Sequence, residues 1–172
     1  QHVLGAYAAG WWSFETIEAG NQVIDGSGEN NHGIVNGATL TAGLEQLGNA
    51  SHNERAALLA ETLDQAIGKF LDNNKSPARK VGEIDNRGSH FYLAMYWAQA
   101  LAAQSRDKEL QARFAEPAKQ LTDNEAKINA ELLGAQRRPV DMGGYYQPDL
   151  DKAAKAMRQS RTLNAIIDSL GL

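Results

Sequence analysis

The stretch LDNNKSPARKVGEIDNRGSH, Leu71 to His90, separates two long runs of helix-periodic sequence. It sets Lys75, Arg79, Lys80 and Arg87 against Asp72, Glu83 and Asp85, with Pro77, Gly82 and Gly88 as breakers. A loop between packed helices with this many fixed-charge donors suits an anion. The same composition also suits a solvated loop that pairs its own charges, and both readings stand at this point.

On the N-terminal side, Leu40, Leu44 and Leu47 fall on one helical face that ends at Gly48-Asn49. Ser51 and Glu54 have the spacing of a capping box. Leu59, Leu63, Ala66, Ile67 and Phe70 then recur at helical spacing through residues 53–71, and Asp72-Asn73-Asn74 with Pro77 stops that helix.

On the C-terminal side, Ser89 is placed to cap a helix over 90–104, HFYLAMYWAQALAAQ, which is apolar on nearly every side. A helix of that kind belongs at the centre of a core. It is shorter than the roughly 20 apolar residues a membrane span needs. Asp107 opens the next helix, with Leu110 and Phe114 inward, and Pro117 predicts a break and restart there. Ala118, Leu121, Ile128 and Leu132 continue inward to Gly134. A basic linker, Gln136-Arg137-Arg138-Pro139, leads to a glycine and tyrosine loop, Val140 to Asp149. Two short helices, 150–158 and 162–170, finish the chain.

Residues 1–39 differ from the rest. Residues 1–40 hold seven of the 16 glycines and two of the three tryptophans, a composition that favours turns and strands over helices. Trp11, Trp12 and Phe14 read as one strand, Val23-Ile24 as a second and Gly33-Ile34-Val35-Asn36-Gly37 as a third. The fold class is therefore mainly α: about six helices packed around the 90–104 helix, with a small N-terminal β-meander. Two units follow, 1–39 and 40–172.

Net charge −4 and a pI near 5.6 argue against a general nucleic-acid or anionic-membrane surface. The absence of cysteine removes disulfides and thiolate chemistry. No phosphate-binding glycine motif, nucleophile elbow or zinc-binding histidine pair occurs, so no catalytic residue and no metal ligand is named. Asp141 ahead of Met142-Gly143-Gly144 reads first as a turn carboxylate, Tyr145-Tyr146 as packing, and His90 as a capping or packing histidine.

Two resemblances are carried by particular words. Trp12, Phe14, Glu15, Asp25, Ser27, Gly28, Asn31, His32 and Gly33 resemble the opening strands of concanavalin A-like (laminin-G type) jelly-roll domains. That implies a sugar-binding fragment, although the chain has too few strand-like segments for a complete sandwich. Asp25, Asn31 and His32 read as turn capping. From about Leu40 onward the chain resembles the C-terminal region of monomeric-type NADP-dependent isocitrate dehydrogenase. The matching words are LEQLGN (44–49), residues 62–104, LTDNEAKI (121–128), PVDMGGYYQPD (139–149) and, more weakly, KAMRQSRTLNA (155–165).

The second resemblance implies an enzyme that oxidises and decarboxylates isocitrate to 2-oxoglutarate with NADP and Mg²⁺ or Mn²⁺. It implies that Arg79 contacts NADP, helping to choose its 2′-phosphate. The family's metal-binding aspartates and isocitrate-binding residues have no counterpart in this chain, which implies no catalysis by the chain alone. Gln1-His2-Val3 echoes a family histidine only superficially, and no role passes to His2. A helical region cut from its neighbours would expose an apolar face and self-associate, so a fusion or truncated reading frame acting as a structural module is the alternative. The resemblance implies a cytoplasmic protein, with secretion left open, while the net charge and the lack of a long apolar run argue against a nucleic-acid or membrane partner.

Overall fold

A computed structural model describes residues 32–144 and 146–171, with side chains from residue 39 onward. Seven helices run through these residues: α1 His32–Ser51, α2 Glu54–Asp72, α3 Asn86–Ala103, α4 Lys108–Asp123, α5 Glu125–Gly134, α6 Leu150–Met157 and α7 Arg161–Asp168. No strand occurs among them.

The expected third strand is overturned. Residues 33–37 lie inside α1, whose backbone is helical from His32 across residue 40 to Ser51. The glycines at 33 and 37 suggested a strand and turn, yet the helix continues through both, and continuation into a docked helix outweighs their poor helix propensity of about 1 kcal/mol each. The jelly-roll words therefore lose His32 and Gly33 to a helix. The first two expected strands, with Glu15, Asp25, Ser27, Gly28 and Asn31, lie outside the described residues.

Helices α1 to α4 pack in sequence, each against the next. The turn from α1 into α2 is made by His52 in the left-handed region (φ 50°) and by Asn53. The predicted capping box does not form. Asn53 is the N-cap, accepting from the Ala56 N–H at 3.0 Å, while the Ser51 hydroxyl donates back to the Leu47 carbonyl at 2.5 Å. Gly48 lets the two helices close: a Cβ there would stand 3.0 Å from the Ala57 nitrogen.

Helix α3 is the centre, as its all-round apolarity predicts. Phe91, Leu93, Met95, Trp97 and Leu101 are all within 2% of complete burial, against α2 on one side and α4 on the other. The one polar atom of Trp97 is satisfied inside the core: its indole N–H donates to the Thr62 hydroxyl at 3.1 Å. That hydroxyl donates in turn to the Leu58 carbonyl at 2.9 Å. A buried indole carries a large apolar area but needs a partner for its N–H, and a threonine whose hydroxyl donates to the carbonyl one turn back provides it.

Helix α3 also starts earlier than predicted. Asp85 caps it, accepting from the Arg87 and Gly88 N–H groups at 2.9 and 3.1 Å, and Ser89 lies buried inside the first turns. Pro117 does not break α4. It sits buried within a continuous helix, and the break falls at Asn124, whose side-chain amide donates to the Gln120 carbonyl at 2.9 Å. Burial of the proline ring against the core offsets the one helix hydrogen bond it removes.

The C-terminal helices close the far side. Ser160 caps α7 by accepting from Leu163 N–H at 3.0 Å. Glu131 on α5 accepts from the Ser160 hydroxyl (2.6 Å), the Thr162 N–H (3.1 Å) and the Thr162 hydroxyl (2.8 Å). A carboxylate at a helix N-terminus is favoured by the helix dipole. Burial opposes ionisation of Glu131, but these hydrogen bonds outweigh it and hold its pKa below the ordinary value.

Candidate functional site

The loop between α2 and α3 is ordered by its own backbone. Asn73 ends α2, with its N–H and its side-chain amide both donating to the Lys69 carbonyl. Asn74 is left-handed (φ 52°), a conformation asparagine tolerates at helix ends, and its N–H donates to the Leu71 carbonyl at 3.0 Å. Pro77 then prevents a return to helix. The Ala78 N–H donates to the Ile84 carbonyl at 2.7 Å, closing residues 78–84 into a ring. Inside the ring, the Glu83 N–H donates to the Lys80 carbonyl at 3.2 Å across a turn with Gly82 at its third position. Gly82 has φ 96°, the left-handed conformation a type II turn demands there. The ring thus carries Arg79, Lys80 and Val81 on the exposed side of the molecule.

The loop's cations divide into two groups. Arg87 is structural: its Nε and Nη2 donate to one Asp85 oxygen at 3.0 and 2.6 Å, and only 16% of its side chain is exposed. Lys75 is structural as well, with its ammonium 3.9 Å from the centre of the Tyr92 ring. These two meet the reading of a loop that satisfies its own charges. Arg79 and Lys80 are exposed on the ring.

Asp85 is the hinge of the arrangement. Burial raises its pKa, but the Arg87 guanidinium, the Gly88 N–H and the Gln136 amide together lower it below the ordinary aspartate value. The Gln136 contact comes from a distant part of the chain. The Gln136 side-chain oxygen accepts from the Gly82 N–H at 2.7 Å, and its amide nitrogen donates to the Glu83 carbonyl at 3.0 Å and to Asp85 at 3.1 Å. One amide therefore fastens the ring to the segment that follows α5. The next residue, Arg137, is left-handed (φ 69°), and its guanidinium stands over Gly82, where an added Cβ would meet it at 3.2 Å. Sequence reasoning saw only a basic linker here, because nothing in the composition marks a glutamine as a clamp between segments more than fifty residues apart.

Asp141 is a turn carboxylate, as read. It accepts from the Gly143 N–H at 2.9 Å and from the Lys152 ammonium at 2.5 Å, and that ammonium bond leads the causes that lower its pKa. Gly143 (φ 79°) and Gly144 let the loop close on itself: a Cβ on either would come within 2.8 Å of Asp149 or Gln147.

A separate cavity of about 120 Å³ lies between α3, α4 and α7, walled by Trp97, Phe114, Leu121 and Ile166, with Arg87 and His90 among its polar lining. His90 Nδ1 donates to the Asn86 carbonyl at 2.5 Å, which makes it the packing histidine expected. Burial outweighs that bond and pulls its pKa down from 6.5 to about 4. Among the described residues no group of three or more His, Asp or Glu stands close enough together to hold a metal ion. No helix among them is long and apolar enough to cross a membrane.

A family model described as monomeric isocitrate dehydrogenase matches residues 34–168. The chain is 67% identical over 131 residues to the NADP isocitrate dehydrogenase of Azotobacter vinelandii, which is 76% of this chain and 18% of that protein. It is 60% identical over 131 residues to NADP isocitrate dehydrogenase 2 of Colwellia maris, again 76% of this chain and 18% of that protein. With NADP isocitrate dehydrogenase 2 of Mycobacterium tuberculosis the identity is 57% over the same length and the same shares. The chain spans less than a fifth of the length of these curated relatives.

Proposed function

This chain belongs to the monomeric isocitrate dehydrogenase family, and from that premise we propose that it forms the cofactor-side helical part of an NADP-dependent isocitrate dehydrogenase. In the complete enzyme the reaction is the oxidation and decarboxylation of isocitrate to 2-oxoglutarate in the cytoplasm. Arg79 is the residue that meets the 2′-phosphate of NADP.

The observation that carries this reading is the ring of residues 78–84. It is locked by the Ala78–Ile84 bond and by Gln136, and it presents Arg79 and Lys80 on the exposed side. The donor chemistry fits: a guanidinium fork matches a phosphate dianion and stays charged at every working pH. When bound, NADP supplies the acceptor for the hydride leaving isocitrate. Arg79 binds and orients, and moves no proton. The described residues offer no donor set for Mg²⁺ or Mn²⁺, so no step is assigned to a metal here, and its ligands belong to other parts of the enzyme.

The chain alone is therefore non-catalytic. One phosphate contact at an exposed site contributes about 1 kcal/mol or less, and hydride transfer needs substrate, metal and nicotinamide held together. Isocitrate-dependent NADPH fluorescence measured with the purified chain is expected to stay at background. Turnover above background would overturn the reading.

A second reading is favoured by Leu47, Leu71, Val81, Val140 and Leu150, each at least 47% exposed. Large apolar side chains on the surface of a helical unit promote association. The chain would then self-associate as a structural module, and light scattering that finds a monomer at high concentration would remove this reading.

A further inference from the structure

We propose that the cavity between α3, α4 and α7 is a binding site for a small neutral apolar molecule about the size of one benzene ring. It is separate from the Arg79 reading, because no residue of the 78–84 ring lines this cavity.

The walls set the chemistry. Trp97, Phe114, Leu121 and Ile166 form the deep side, each no more than 5% exposed. The polar residues at the rim already have partners. Arg87 is paired with Asp85, and its Nη1 donates to the Ala156 carbonyl at 3.4 Å. Arg158 Nη2 donates to Asp168 at 2.7 Å and its Nε to the Asn164 side-chain oxygen at 3.3 Å. The Asn164 amide donates back to the Arg158 carbonyl at 2.8 Å, and the Ser160 hydroxyl donates to Glu131. His90 donates to the Asn86 carbonyl, and its pKa of about 4 leaves the ring uncharged at pH 7.

A charged ligand would lose its hydration here and meet cations whose counter-ions are already in place. Water needs about two to four polar partners, and these walls present it mostly with carbon. An apolar molecule gives up no hydrogen bond on entry and gains dispersion contacts on every side. Size narrows the class further. The cavity measures about 120 Å³, and one of about 150 Å³ lined by Leu, Ile and Phe side chains takes benzene or xenon. Leu163 and Ile167 on α7 and Leu170 beyond it line the outer side and are half-buried. Helix α7 is fastened at its start by Glu131 and past its end by Arg113, which donates to the Leu170 carbonyl at 3.1 Å. A short cover held by polar bonds near its two ends opens at lower cost than a core helix, which provides a way in.

The test is a chemical-shift titration of the isotopically labelled chain with benzene, with pyridine, and under xenon pressure. Benzene and xenon are expected to move the signals of Ala94, Trp97, Phe114 and Ile166 in one saturable process. Pyridine has nearly the same shape, but its nitrogen would lose water and find no donor, so it is expected to bind at least about tenfold more weakly than benzene. Ala94→Leu and Ile167→Phe fill the cavity from opposite walls at half-buried positions, and each is expected to weaken benzene at least about tenfold.

If neither benzene nor xenon moves these signals in the unsubstituted chain, the proposal falls, whatever the variants do. Pyridine binding as tightly as benzene would reveal an unspent donor and overturn the apolar class. Folded Ala94→Leu and Ile167→Phe chains that bind benzene as the unsubstituted chain does would place the ligand elsewhere and overturn the site.

Discussion

Helices α2 and α3 and the ring of residues 78–84 between them are consecutive in the chain, yet different forces hold them. The helix pair is held by area: Leu63, Phe70, Phe91, Leu93 and Trp97 are almost wholly removed from water, and each buried side chain of this kind contributes roughly 1.5–3 kcal/mol. The ring has no core of its own. Val81 is 62% exposed, and the ring's shape comes from two backbone hydrogen bonds and one glutamine amide. Non-directional burial tolerates small errors of position, while directional bonds fix the positions of a few atoms. The helix pair thus holds most of the buried area, and the ring holds a backbone shape fixed by few bonds.

The largest effect that would test this division lies in the helix pair. Trp97→Ala is expected to cost about 3–5 kcal/mol, since it empties a central site and leaves the Thr62 hydroxyl without its donor. Urea denaturation measures it. A cost under about 1 kcal/mol would show that burial is not what holds the pair.

A smaller effect concerns His90, which borders the apolar cavity beside Arg87. Its pKa falls from 6.5 to about 4 on folding, so the unfolded chain binds the proton more tightly. The associated stability is fully present above pH 6.5 and is lost as pH falls from 6.5 toward 4, by at most about 3 kcal/mol. Denaturation of wild type and His90→Gln across that window separates the effect from Asp85 and Glu131, whose lowered carboxyl pKa values act near and below pH 4. If His90→Gln keeps the full slope between pH 6.5 and 4, the assignment to His90 is wrong.

The smallest effect on stability should come from the ring. Gln136→Leu removes three hydrogen bonds, but their partners at Gly82 and Glu83 are exposed and water replaces the lost contacts, so the cost is about 1 kcal/mol. The Gly82 amide should exchange its hydrogen far faster in this variant while the amides of α3 keep their protection. Equal loss of protection in both places would erase the distinction between the two regions.

The helix pair was largely legible in the sequence because its signal is local. The spacing of Leu63, Ala66, Ile67 and Phe70 and the all-round apolarity of residues 90–104 follow from helix geometry alone. Boundaries were less legible. Ser51 and Ser89 offered caps that Asn53 and Asp85 take instead, and Pro117 signalled a break that burial overrides. Residues 33–37 misled because glycine content argued for a turn where the chain continues as helix. At the ring, Arg79 came only from the resemblance, and the Gln136 clamp could not be found at all. It depends on a contact between segments that no periodicity connects.

The clamp also orders events in time. The packing of α1 on α2, α2 on α3 and α3 on α4 joins neighbours in the chain, and such contacts close small loops and form early. Gln136 reaches Gly82, Glu83 and Asp85 across 54, 53 and 51 positions, so it can engage only after α4 and α5 have docked. The turn that carries Arg79 thus acquires its final shape last during folding. A newly made chain is expected to reach its helical core before the 78–84 ring takes its final shape.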